Sequence, residues 1–163
     1  MADGQVLAHR RLLDQCHAVE VVMGEIYRVL AAAYREAHPS LAALFDKTAD
    51  EEDSHAAQLK LSPRLLDAMI EAPVVDAERA TLLLGVARAL RDALRQSVPT
   101  PVESLRSALE LEETFAEFHL ENAFKFREPS FQRLFHAMME ADRAHVAALG
   151  RALADLEAPA GPK

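Results

Sequence analysis

The chain has 163 residues, half of them hydrophobic, and a formal net charge of −8. That apolar fraction supplies one sizeable core and excludes a disordered chain. The acidic balance argues against nucleic acid as a partner, because phosphate binding needs a basic face, and no lysine-rich amphipathic stretch favours an anionic membrane surface. No apolar run approaches the ~18–20 residues that span a bilayer. The start, Met1-Ala2-Asp3-Gly4-Gln5, lacks a basic region followed by an apolar one, so the expected location is cytoplasmic. Cys16 is the sole cysteine, which excludes an intramolecular disulfide or a CxxC metal knuckle; among apolar neighbours it reads as a buried thiol.

Alanine, leucine, glutamate and arginine dominate, apolar residues recur every three or four positions, and no useful stretch alternates with a strand's period. The expectation is an all-α single domain over residues 1–157. The first long helix is predicted from about Val6 to Ala37, stopping before His38-Pro39. A second starts at Pro39-Ser40, with Ser40 as N-cap, and reaches about Leu61. The crossover 63–100 is read as a short helix (about Arg64–Glu71) and a longer one (about Asp76–Ser97). Its Leu82-Leu83-Leu84 and Leu90/Leu94 stripe suits either a cap on the bundle or a dimer face. Pro101 takes a favoured first-turn position in a helix reaching about Arg127. The last helix runs from Pro129-Ser130 to about Leu156, and a flexible tail is expected at 158–163.

The two pairs of long helices resemble each other. Leu44-Phe45, Glu52, His55 and Leu59 match Leu134-Phe135, Asp142, His145 and Leu149 at a constant offset. Glu20, Glu25, Ile26 and Tyr27 likewise match Glu112, Glu117, Phe118 and His119. One helical hairpin used twice, with a long helical connection between the copies, explains both series.

Glu52-Asp53-Ser54-His55 is an ExxH motif and Asp142-Arg143-Ala144-His145 its shortened counterpart. Residues three apart share a helix face, so each pair presents a carboxylate and an imidazole to one point. His55 continues the apolar face of Leu41, Leu44/Phe45 and Thr48, and Asp142 and His145 continue that of Leu134/Phe135 and Met138/Met139. Charged groups on an inward stripe need partners, and a metal pair provides them. Glu20 lies on the face of Cys16, Met23 and Tyr27, and Glu112 on that of Leu109, Ala116 and His119. Glu113 stays open as a rival to Glu112, and Glu51 to Glu52, while Glu25 points elsewhere. The candidate metal ligands are therefore Glu20, Glu52, His55, Glu112, Asp142 and His145. Two single carboxylates plus two carboxylate–histidine pairs form the ligand pattern of ferritin-like di-iron and di-manganese bundles. Oxygen and imidazole donors suit iron or manganese, with zinc a further option.

The run from Leu44-Phe45 through Thr48-Ala49 to Glu52 and His55-Ala56 resembles the second helix of the rubrerythrins. Glu20 followed by Tyr27 is similar to that family's first helix, and Leu134-Phe135 leading to Asp142 and His145 to its fourth. The resemblance covers both hairpins and not the crossover. It implies a ferritin-like antiparallel four-helix bundle holding two iron ions that react with O2 or H2O2, with electrons from a separate donor. Glu52 and Asp142 would bridge, Glu20 and Glu112 would be terminal, and His55 and His145 would bind one ion each. Tyr27 would orient these ligands from behind; His119, which takes the matching place in the other hairpin, stays open as a group of that kind, an extra ligand or a core histidine. A single cysteine excludes a rubredoxin-type iron domain, and Phe115 stands three after Glu112, where the family has an extra glutamate.

Three function classes follow: a di-iron oxidoreductase of ferroxidase or peroxidase type, an iron-handling or storage protein, and a non-catalytic metal-binding bundle. A homodimer or larger homo-oligomer is expected. His17 reads as a weaker candidate near the centre, His9, His38 and His136 as surface residues, and Met23, Met138 and Met139 as core filler.

Overall fold

The structure is a computed structural model that describes residues 2–61, 77–123 and 126–158. Five helices account for 91 % of these residues, with no strand among them: α1 Ala2–Tyr34, α2 Pro39–Leu61, α3 Ala77–Gln96, α4 Pro101–Ala123 and α5 Pro129–Glu157. The all-α expectation holds. The short helix anticipated at Arg64–Glu71 and most of the tail lie outside the described residues.

Chain punctuation sets the boundaries. His38 precedes a proline and so avoids helical backbone. Its N–H donates to the Tyr34 carbonyl at 2.8 Å and its carbonyl accepts from Ala42 N–H at 3.0 Å. α1 therefore ends at Tyr34 rather than Ala37, and the start of α2 falls to Pro39 in the first helical position. Ser40 lies inside the first turn, so the N-cap expected there is displaced to His38. At α4, Thr100 and Glu103 form a capping box: Thr100 N–H donates to Glu103 Oε2 at 3.0 Å, and Thr100 Oγ1 accepts from Glu103 N–H at 3.4 Å. α4 is described to Ala123, short of the expected Arg127, which lies in the bend before α5. Glu128, extended ahead of Pro129, caps α5 by accepting from Ser130 N–H.

α1 packs along α2, and α4 along α5, as two antiparallel hairpins, while α3 lies along α1. The hairpins meet with α1 against α4 in antiparallel register. Glu20 faces His119, Tyr27 faces Glu112, and Tyr34 reaches Ser104 (2.7 Å) and the Pro99 carbonyl (2.6 Å), one contact every seventh residue of α1. Heptad spacing returns to the same helix face after two turns, so these three sit on a single inward stripe. α3 runs parallel to α1 on the outside, tied by Gln15 to Thr81 and by Arg91 and Arg95 to Glu25, both at 3.1 Å. It thus covers a side of the bundle rather than an end, with Leu82 and Val86 left 67 % and 49 % exposed.

The repeat is visible in the packing. Phe45 and its counterpart Phe135 are both fully buried. Phe45 stacks on Tyr27 with centroids 5.9 Å apart, and Phe135 lies edge-on to His119, also at 5.9 Å. Each phenylalanine supports the residue that reaches across to the other hairpin.

Candidate metal centre

Four helices each contribute a buried acid: Glu20 from α1, Glu52 from α2, Glu112 from α4 and Asp142 from α5. Three imidazoles stand among them, His55, His119 and His145, and none of the seven is more than 8 % exposed. The rivals separate by direction. Glu113 is exposed and Glu51 half-buried at the rim, whereas Glu112 and Glu52 point inward. Glu25 turns to Arg91 and Arg95 on α3, away from the centre.

Among the described residues, two groups of three donors lie close enough together to hold a cation: Glu20, Glu52 and His55, and Glu52, Glu112 and His145. Glu52 belongs to both. His55 Nδ1 is 3.4 Å from Glu20 and 3.6 Å from Glu52; His145 Nδ1 is 3.1 Å from Glu52 and 3.5 Å from Glu112. Both Nδ1 atoms are buried, and the orientation of the rings gives neither a directed hydrogen bond. Buried polar atoms without partners are rare. Once deprotonated, ring nitrogens converging with carboxylate oxygens would fit a borderline divalent metal.

Asp142 stands outside both groups. Its Oδ2 is 2.7 Å from His119 Nδ1, and the other ring nitrogen, Nε2, lies 3.3 Å from Glu20. His119 thus spans an acid of each hairpin. Tyr27 holds the related position, and its hydroxyl donates to Glu112 Oε1. On the outer side, His145 Nε2 is 3.1 Å from Glu51 Oε2, whose Oε1 accepts from Lys47 at 2.9 Å. A carboxylate on Nε2 fixes the tautomer that leaves Nδ1 free to face inward. Sequence reasoning weighed Glu51 only as a rival ligand; its place four residues before His55 and one before Glu52 gave no sign that it pairs with His145 of α5.

Electrostatics follow from this crowding. Burial presses the His55 imidazole down, but Glu20 and Glu52 outweigh it and raise it to about 10. Burial also opposes charge on His119 and His145, yet Asp142 with Glu20 lifts the first to about 10, and Glu112 with Glu52 lifts the second to about 11. Among the acids, Glu20 resists burial through His119 and His55 and falls to about 2. Burial pushes Glu112 up to about 7 and, with Glu20 beside it, raises Glu52. Burial likewise raises the phenol of Tyr27 and the thiol of Cys16.

His17 is half-buried on α1 and falls in neither donor group. His38 and His136 are half-buried rather than exposed, the former edge-on to Tyr34. His9 lies where side chains are not described. Met23, Met138 and Met139 are core residues. No described helix is long and apolar enough to cross a membrane. Comparison with known proteins finds no matching family model, curated protein or solved structure.

Proposed function

We propose that this chain is a two-metal protein of the ferritin-like, rubrerythrin-like type, acting in redox chemistry of iron with O2 or H2O2. The observation that carries it is the pair of buried Nδ1 atoms without a directed hydrogen bond, each beside two carboxylates of donor groups that share Glu52. Glu20, Glu52 and His55 would hold one ion, and Glu52, Glu112 and His145 the other. An Fe(II) pair bound there supplies two electrons to a small oxidant. The protein's own part is positional. Tyr27 orients Glu112, Glu51 orients His145, and His119 pairs with Asp142. In this reading Glu52 would serve both ions, and Asp142, engaged with His119, would not be needed as a bridge. Manganese suits the same donors, and zinc is the further option.

The test is elemental analysis of protein purified without chelators and reloaded with Fe(II) under anaerobic conditions. About two irons per chain, oxidised on addition of O2 or peroxide with a di-ferric absorption band, supports the proposal. One zinc or no metal overturns it. A second reading, a bundle in which metal is structural or absent, draws on the same imidazole–carboxylate pairs, because they compensate one another's charge without a cation. Stability unchanged by chelation would favour that second reading, since a bound metal stabilises by mass action.

A further inference from the structure

The centre is closed on one side and open on another. Toward α1 and α4, Val19, Met23 and Phe115 lie over the acids, each no more than 4 % exposed. The space they share with Glu20, Glu52 and Glu112 does not accommodate a water-sized sphere. Between α2 and α5, by contrast, a cleft of about 200 Å³ runs from the surface down to His55 and His145. The two rings form the floor of the cleft, tilted toward each other with centroids 6.3 Å apart.

The walls of the cleft differ in a way the repeat makes plain. On α2 it is lined by Glu51, Ser54 and Gln58. The α5 positions related to these by the repeat are Ala141, Ala144 and Ala148, which line the opposite wall. One wall offers oxygen donors, while the other has been reduced to methyl groups and leaves the space open. Glu51 bridges the two environments, paired outward with Lys47 and inward with His145 Nε2. The Lys47 pair is solvent-exposed, at 72 % and 41 % for its two side chains. Such pairs contribute little and exchange readily.

We propose that the α2–α5 cleft is the inlet through which a hydrated divalent cation reaches the centre, with Glu51 exchanging its lysine partner for the arriving ion. This rests on the metal-centre reading. A negative side chain at the mouth raises the local cation concentration, and the polar wall replaces waters as the ion sheds them.

The test follows uptake of Co(II), the metal alone, by stopped-flow absorbance on the full chain. Ala141→Leu and Ala144→Leu fill the cleft without replacing a donor. Each should slow uptake roughly tenfold while the amount of Co(II) bound at the end point and the melting temperature match the wild type. Gly85→Leu on α3, where an added Cβ meets nothing within 4 Å, controls for bulk and should leave the rate unchanged. Glu51→Gln should slow uptake and flatten its dependence on ionic strength. Wild-type rates in both filled variants overturn the inlet and leave the metal centre standing. Failure of the wild-type protein to bind Co(II) overturns both.

Discussion

The hydroxyl of Tyr27 leaves its own hairpin to donate to Oε1 of Glu112 in the other. The residue at the related position, His119, reaches back to Glu20 at 3.3 Å. The two copies of the hairpin thus exchange one buried side chain each across the α1–α4 seam. Where one copy sends a phenol, the other sends an imidazole, which also takes Asp142.

Tyr27→Phe tests the first of these reaches. It leaves Glu112 Oε1 buried without its donor, so metal-free protein should lose about 1–3 kcal/mol in urea unfolding. The same change frees a ligand to rotate, and Co(II) affinity should fall by about 10–100-fold with stoichiometry retained. An unaltered affinity would show that Tyr27 orients nothing.

His119 and Asp142 separate a metal ligand from its neighbour. Asp142→Asn keeps an oxygen toward His119 and should retain a full complement of metal. His119→Leu strips the imidazole from both Asp142 and Glu20, and metal-free protein should be destabilised by about 3–5 kcal/mol, the range for breaking a buried pair. Loss of one metal in Asp142→Asn would return that residue to the ligand set.

Glu52 is the member common to both donor groups. Glu52→Gln should abolish binding at both positions, whereas Glu112→Gln should remove one metal and spare the other. Stoichiometry by elemental analysis, with circular dichroism to verify retained helix, distinguishes them. Equal losses in the two variants would mean that Glu52 is not shared.

Acid and base act on the metal-free centre in opposite senses. His55, His119 and His145 are raised from 6.5 to about 10, 10 and 11. A raised group stabilises fully below its unfolded value and loses that contribution as pH climbs through the folded one. Glu112, raised from 4.5 to about 7, adds a decline across that interval. Glu20, lowered from 4.5 to about 2, stabilises above its unfolded value and gives this up as pH falls through 2. In chelator, thermal stability should be highest near pH 4.5, decline toward pH 7 as Glu112 ionises and further toward pH 10 as the imidazoles lose their protons, and decline toward pH 2. A melting temperature rising from pH 6.5 to 9.5 would contradict the network.

Helical spacing was enough to read Glu20, Glu52, His55, Glu112 and His145 as inward-facing, because burial repeats with the helix and each lies on an apolar stripe. The hairpin repeat added the pairing of helices. What spacing does not encode is which acid an imidazole chooses once several converge. His119 could be placed beside the centre from its match to Tyr27, but its hold on Asp142 depends on the packing of α4 against α5. The choice between Glu51 and Glu52 likewise turned on the rotation of α2, which differs by only one position between them. Ser40 failed as a cap for a local reason: a proline at the first helical position moves the boundary ahead of it.

Divergence between the two hairpins reaches down to the donors' neighbours. One donor group borders the Tyr27 phenol and the rim carboxylate of Glu51; the other borders the His119 imidazole. A chain built from two identical hairpins would offer ions equivalent berths and select for like pairs. This one carries two donor groups that differ in charge and in hydrogen-bond supply, so any ions they took up would not be equivalent.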